Sequence, residues 1–88
     1  MYYTYILHSL EKNDFYTGFT EDLKKRVEQH NSGKNKSTKY RRPLKLIYYE
    51  AYAQKEDAIA REKYLKTSDG KRDLKRQLKF YIEEFKID

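Results

Sequence analysis

The chain has 88 residues, enough for one small domain and too few for a second hydrophobic core. It contains no cysteine, which excludes disulfides and a thiolate zinc site, and its 2 histidines argue against a multi-histidine metal site. The formal net charge of +6 favours a polyanionic partner, although small proteins without such a partner are often this basic.

The first 20 residues predict a β-hairpin. Residues 2–8 and 15–19 are rich in aromatic and β-branched side chains, and the polar segment between them is short enough to be their connection. In a symmetric hairpin Tyr5 lies near Gly18 and Tyr16 near Leu7, on one face. Gly18 would then leave space above it, which suits a ligand or a bulge.

A helix is predicted to follow the hairpin directly and to end near Asn31. We expect Thr20 to cap it, with Glu21 and Asp22 in its first turn. One face of this helix carries Leu23, Arg26, Val27 and His30, spaced i, i+3, i+4 and i+7. An arginine and a histidine on an inward face need polar partners, so we predict that this face forms the floor of a site.

The second half of the chain predicts one strand and two helices. Residues 34–42 form a basic segment, predicted to be a mobile loop, with five positive charges and no negative one. Residues 44–52 predict the third strand, residues 54–66 a helix, residues 67–70 a turn and residues 71–85 a last helix. The expected fold is a single α+β domain over residues 1–88 with the order β-β-α-β-α-α. Its sheet is three-stranded and mainly antiparallel, flanked by helices.

Glu62 is the unexpected residue of the helix predicted over residues 54–66. Ala58, Ile59 and Leu65 surround it on one side of the predicted helix. A carboxylate there needs a lysine, an arginine or a metal ion as its partner. The alternative is a solvated residue at the edge of the apolar stripe.

Together, two strand tyrosines, an arginine and a histidine four residues apart, and this glutamate are the parts of a phosphodiester-cleaving site. Hydrolysis of a phosphodiester builds negative charge on the phosphorus oxygens, which arginine pairs with bidentately. A carboxylate-held metal neutralises the leaving oxygen, and a tyrosine or histidine accepts a proton from water.

In the order and spacing of these residues, the chain resembles the GIY-YIG nucleases. This family includes homing endonucleases and the 3′-incision domain of the bacterial excision-repair nuclease, and the small bacterial members are the most similar. Residues 3–5 (YTY) stand where the family has its GIY tripeptide, and residues 16–18 (YTG) stand for YIG. Arg26, His30 and Glu62 match the family's arginine, its His or Tyr position and its metal-binding glutamate.

The resemblance implies a metal-dependent DNA endonuclease with Tyr5, Tyr16, Arg26, His30 and Glu62 in its catalytic site. Glu62 would hold a single Mg²⁺ or Mn²⁺ ion, and Arg26 would stabilise the charge on phosphorus. Tyr16 is the favoured base, ahead of Tyr5 and His30. The expected contacts to nucleic acid come from the basic segment and are Lys34, Lys36, Lys39, Tyr40, Arg41 and Arg42.

Two other functions are compatible with the sequence. One is a non-catalytic nucleic-acid-binding module on the same fold, and the other is a structural protein whose charge serves solubility alone. DNA is the expected partner, with RNA left open, and no protein partner is evident. No stretch has the pattern of a signal peptide or a membrane span, so we expect a cytoplasmic protein.

Overall fold

In residues 1–87, which the computed structural model describes, helices pack on both faces of a three-stranded sheet. The strands are β1 (Tyr2–Ser9), β2 (Asp14–Thr20) and β3 (Leu44–Tyr52). The helices are α1 (Leu23–Asn31), α2 (Lys55–Leu65), α3 (Ser68–Gln77) and α4 (Lys79–Phe85). A single turn of 3₁₀ helix, Lys39–Arg41, interrupts the basic segment.

Strand β1 is the centre of the sheet and pairs antiparallel with both β2 and β3. Tyr5 lies opposite Gly18 and Leu7 opposite Tyr16, which is the register that the symmetric hairpin predicts. On its other side Tyr5 lies opposite Tyr49 of β3. The predicted α+β class and antiparallel sheet are therefore confirmed.

Alternate residues of β1 enter two separate cores, because successive side chains of a strand point to opposite faces. The first core contains Tyr5, Leu7 and Leu44, with Leu23 and Val27 of α1 packed against it. The second core contains Ile6, Leu65 of α2 and Leu74 of α3. Helix α1 therefore covers one face of the sheet, and α2 and α3 cover the other.

The predicted start of α1 was wrong by two residues. Thr20 is still the last residue of β2, paired with Tyr3, and its hydroxyl accepts from the N–H of Asp22 at 3.1 Å. Asp22 is the actual cap, since its carboxylate accepts from the N–H of Lys25 at 3.1 Å. The acidic residues thus precede the helix, where Asp22 still places negative charge at its N-terminus.

The prediction of one last helix after a turn was also wrong. The residues predicted as a turn begin α3, because the Thr67 hydroxyl caps it by accepting from the N–H of Gly70 at 3.1 Å. The helix then breaks at Leu78, whose backbone departs from helical geometry. The break brings α4 to the hairpin, where the Tyr81 hydroxyl and His8 Nδ1 are 2.8 Å apart.

None of the helices within residues 1–87 combines the length and the apolar character that crossing a bilayer requires.

Gly70 provides a test of the packing between α2 and α3. A Cβ at this position would overlap the backbone carbonyl of Tyr64, which cannot swing aside as a side chain can. Gly70→Ala should therefore lower the free energy of unfolding by about 1–3 kcal/mol. Helix propensity alone would raise it by up to about 1 kcal/mol. Urea denaturation measures the sign of the change in the free energy of unfolding, with the exposed Lys71→Ala variant as the control. A Gly70→Ala protein more stable than the wild type would contradict this packing.

Candidate active site

Three side chains from three different segments form a buried hydrogen-bonded chain. Tyr5 of β1, His30 of α1 and Thr38 of the basic segment are each no more than 1% exposed. The Tyr5 hydroxyl lies 2.8 Å from His30 Nε2, and His30 Nδ1 lies 2.7 Å from Thr38 Oγ1. Both ring nitrogens therefore have partners, which fixes the orientation of the imidazole.

Burial keeps the tyrosine and the histidine of this chain uncharged. It raises the pKa of Tyr5 well above its usual range, with smaller contributions from Tyr16 and Glu62, whereas the Arg26 charge acts in the opposite direction. Burial, followed by the nearby Arg26 charge, lowers the pKa of His30 to about 4. A neutral imidazole donates from one nitrogen and accepts at the other, so it links the two hydroxyls without carrying charge.

Gly18 has a different role from the predicted one. A Cβ on Gly18 would overlap the hydroxyl end of the Tyr5 ring. The space above this glycine is therefore filled by the Tyr5 phenol and is not open to a ligand. Glycine is required here so that the ring can lie across β2 and reach His30.

Tyr16 lies beside this chain and is the more accessible of the two tyrosines. Its ring centroid is 5.1 Å from that of His30 and 6.5 Å from that of Tyr5. The guanidinium carbon of Arg41 lies 5.6 Å from the centre of the Tyr16 ring. Within residues 1–87 no side chain hydrogen-bonds the Tyr16 hydroxyl, so this oxygen can accept a partner from outside.

Arg26 approaches the site from α1, half-buried. Its Nη1 lies 3.5 Å from Gln29 Oε1, at the limit of a hydrogen bond. Its Nε is buried and has no hydrogen-bond partner in the part of the chain that the structure describes. An unpaired buried donor costs about 1–3 kcal/mol, and an oxyanion would satisfy it.

Glu62 comes from α2, on the other face of the sheet. Thr4 Oγ1 donates to the Ala58 carbonyl at 2.7 Å, which fastens this helix to β1 one turn before Glu62. The Glu62 side chain is 20% exposed and pairs with Lys66 Nζ at 2.9 Å, so a lysine is the cation that its position demands. Its charge nevertheless acts on Tyr5, which places Glu62 within electrostatic range of the buried phenol.

A metal ion at Glu62 would need ligands beyond the side chains of this chain. Residues 1–87 contain no group of three or more His, Asp or Glu side chains arranged to hold a metal. Mg²⁺ is commonly bound by one or two carboxylates together with water and substrate phosphates. A single partly exposed carboxylate fits that mode of binding.

The basic segment divides into anchored and exposed residues. Arg41 Nη2 donates to Asp14 Oδ1 at 2.8 Å and to the Phe15 carbonyl at 3.0 Å. Arg42 Nε donates to the Lys39 carbonyl at 2.8 Å. Arg41 therefore holds the segment against the hairpin, whereas the Arg42 bond lies within the segment. That these two arginines contact nucleic acid remains a prediction. The remaining four residues, Lys34, Lys36, Lys39 and Tyr40, are exposed.

Two residues of the site were not predicted from the sequence. Thr38 carries no signal, because it is one hydroxyl residue within a polar, basic segment and only the fold brings it to His30. Lys66 does have a clear sequence signal. It stands four residues after Glu62 on a predicted helix, which is the spacing at which a glutamate and a lysine pair.

The buried neutral His30 predicts a dependence of stability on pH. Its pKa is about 4 in the folded protein against 6.5 for an ordinary histidine, so the unfolded state binds more protons between these values. The stabilisation is complete above pH 6.5 and is lost as the pH falls toward 4. The slope it adds should approach about 1.4 kcal/mol per pH unit.

Denaturation at several pH values, for the wild type and His30→Gln, isolates this contribution from that of the carboxylates. The wild-type curve should fall more steeply over the same range. Parallel curves would show that folding does not lower the pKa of His30.

Comparisons with known proteins agree with the fold. The model of the GIY-YIG catalytic domain matches residues 1–78. A UPF0213 protein of Streptococcus pyogenes serotype M3 is 48% identical over 65 residues, which cover 73% of this chain and 70% of the relative. A serotype M1 relative has the same identity and coverage. The solution NMR structure of a UPF0213 protein from Bacillus halodurans is 36% identical, with a TM-score of 0.52 over 84% of this chain and 82% of that one. The resemblance in the sequence is thereby confirmed: this chain belongs to the GIY-YIG family of nuclease domains.

Proposed function

We propose that this protein is a metal-dependent endonuclease that hydrolyses phosphodiester bonds in DNA. The observation that carries the proposal is that the charges of Arg26 and Glu62 both act on the buried Tyr5 phenol, and that the buried Nε of Arg26 has no hydrogen-bond partner within residues 1–87. The accessible phenol of Tyr16 lies beside it. Such a set suits a reaction in which negative charge builds up on phosphorus oxygens, and family membership supports the same chemistry.

Arg26 would stabilise the charge that develops on the phosphate. Its buried Nε has no partner within residues 1–87, so a phosphate oxygen would replace an unsatisfied donor with a charge-assisted hydrogen bond. The planar guanidinium can bind two oxygens at once, which a lysine cannot do with the same geometry. This interaction strengthens as negative charge accumulates in the transition state.

Glu62 would hold one divalent ion, Mg²⁺ or Mn²⁺. When bound there, the ion would neutralise charge on the scissile phosphate and on the leaving oxygen. Lys66 now pairs with this carboxylate at 2.9 Å, but the lysine side chain is 52% exposed. Ion pairs this exposed to solvent stabilise a protein little, so the ion can replace the lysine at low cost.

Tyr16 is the favoured acceptor of the proton that leaves the attacking water. Its hydroxyl has no side-chain partner within residues 1–87, and to act as a base it must first lose its own proton. Tyr5 is held by His30 as a neutral phenol and would position the reacting groups. Thr38 bonds the other ring nitrogen of His30, so two hydrogen bonds through His30 join the basic segment to Tyr5.

The exposed lysines of the basic segment would contact the DNA backbone, with Tyr40 available for stacking on a base. Tyr40 is 78% exposed, and Lys39 Nζ lies 5.4 Å from the centre of its ring. A domain of 88 residues offers too little surface to recognise a long sequence. We therefore expect cleavage that depends on DNA structure or only weakly on sequence, and RNA should be assayed beside DNA.

Glu62→Gln separates catalysis from binding. It keeps the shape of the side chain and removes the charge that holds the ion, so cleavage should fall by orders of magnitude, since several kcal/mol of transition-state stabilisation are lost. DNA affinity measured without metal should stay the same or rise slightly. The control is Glu56→Gln, an exposed residue in the first turn of the same helix.

Wild-type cleavage by Glu62→Gln would place the metal site elsewhere. If neither the wild type nor the control cleaves branched, nicked or supercoiled DNA, the non-catalytic binding module becomes the better account.

Charge neutralisation tests the DNA-binding role of the basic segment. The triple variant Lys34→Gln/Lys36→Gln/Lys39→Gln should weaken binding and reduce the slope of log K against log salt by about 2 to 3. The matched control changes three exposed lysines elsewhere, Lys12, Lys55 and Lys63, to glutamine and should keep the wild-type slope. Equal slopes for the two triple variants would show that the segment contributes only general charge.

A further inference from the structure

A cavity of about 470 Å³ opens along β2, next to the candidate active site. Its apolar lining includes the buried side chains of Leu65, Leu74 and Ile87 and the half-buried side chains of Phe15 and Ile82. This volume lies within the range of pockets that hold small organic ligands. A floor that combines one aromatic ring with aliphatic side chains suits a flat apolar group.

The rim of this cavity is basic. Lys66, Lys71 and Lys75 line it, and Lys71 and Lys75 stand four residues apart on one side of α3. Neither of these two forms an ion pair within residues 1–87. The carboxylate on the rim, Asp14, is already paired with Arg41. The cavity therefore offers an apolar floor and two available cations, which together complement a flat group attached to phosphates.

Two residues connect the cavity to the candidate active site. Tyr16 lines the cavity, and its ring also lies beside Tyr5 and His30. Lys66 lines the cavity and pairs with Glu62. A nucleic-acid strand whose phosphate reached Arg26 and Glu62 would therefore bring a neighbouring nucleotide to the mouth of the cavity.

We propose that this cavity holds an unpaired nucleobase of the substrate strand, with the flanking phosphates on Lys71 and Lys75. The inference rests on the proposed function, because it identifies the class of DNA on which that site acts. A base in a Watson–Crick pair remains stacked within the duplex, whereas a bulged, mismatched or single-stranded base leaves the stack at little cost. The cavity thus selects DNA that contains an unpaired nucleotide near the scissile phosphate.

The test measures binding without metal, by fluorescence anisotropy, on three labelled DNAs of one sequence. They are a perfect duplex, the same duplex with one bulged nucleotide, and the single strand. The wild type should bind the bulged and single-stranded DNAs roughly tenfold more tightly than the duplex, the scale that stacking of one base on a protein supplies. A 2-aminopurine at the bulge should change its emission when the protein binds.

Two variants examine the cavity by different routes. Ile82→Phe fills it and should abolish both the preference for the bulge and the change in 2-aminopurine emission. Lys71→Gln/Lys75→Gln removes the free cations and should weaken binding of the bulged DNA more than that of the duplex. The control Lys12→Gln/Lys55→Gln makes the same charge change at exposed positions outside the cavity lining. If Ile82→Phe fails to fold, the lysine variant decides the question.

Retention of the bulge preference in the lysine variant, at the level of the control, would overturn the proposal and leave the cavity to another occupant, such as an acidic peptide. Equal affinity of the wild type for all three DNAs would overturn it as well. Plasmid cleavage by the same proteins separates this failure from that of the proposed function. If the wild type cleaves plasmid but shows no bulge preference, the proposed nuclease activity stands and the nucleobase subsite is wrong. If the wild type prefers the bulge, the variants lose that preference and no protein cleaves, the subsite stands and the nuclease activity is wrong.

Discussion

The buried phenol of Tyr5 is the constraint on which the rest of the site depends. Its ring lies across β2 at Gly18, where any Cβ would overlap it, and its hydroxyl is bonded to His30. The position of the Tyr5 side chain therefore depends on three features at once: the register of β1 against β2, the glycine at position 18 and the last turn of α1. Thr38 extends the same constraint into the basic segment. Displacing the phenol would leave buried polar groups unpaired, at a cost of about 1–3 kcal/mol each.

An uncharged centre with charged side chains around it follows from this burial. Arg26 and Glu62 act on the Tyr5 phenol in opposite directions, so their effects partly cancel in the protein alone. Under the proposed function, a phosphate would neutralise the first charge and a divalent ion the second. Substrate and ion together would then leave the Tyr5–His30 pair neutral, and the phenol would keep its place while charge changes around it. The low pKa of His30 also keeps the Tyr5–His30 pair neutral and hydrogen-bonded, because a protonated imidazole could no longer accept from either hydroxyl.

Most of the fold could be predicted from the sequence, because its strands carry strong local signals. Symmetric closure of the hairpin set the register that brings Tyr5 to Gly18, and helical spacing put Arg26 and His30 on one face. What failed depended on tertiary contacts. The helix break at Leu78 accompanies the docking of Tyr81 on His8, which are 73 residues apart in the chain. The sequence likewise does not show that Arg41 binds Asp14 and the Phe15 carbonyl, because these partners lie 27 and 26 residues away in the chain. The contact of Thr38 with His30 and the filling of the space above Gly18 by Tyr5 also depend on tertiary contacts, so the sequence could not predict them.

The central claim is that the side chains of the candidate active site hydrolyse DNA with the help of a divalent ion. Nicking of supercoiled plasmid tests this claim most directly. The purified wild type should convert supercoiled plasmid to open circles with Mg²⁺ or Mn²⁺, and should not do so in excess EDTA. Tyr16→Phe, purified in parallel, guards against a contaminating nuclease and should be inactive while binding the plasmid as tightly. Nicking that persists in EDTA, or equal nicking by Tyr16→Phe, would contradict the account, as would intact plasmid in every metal despite tight binding.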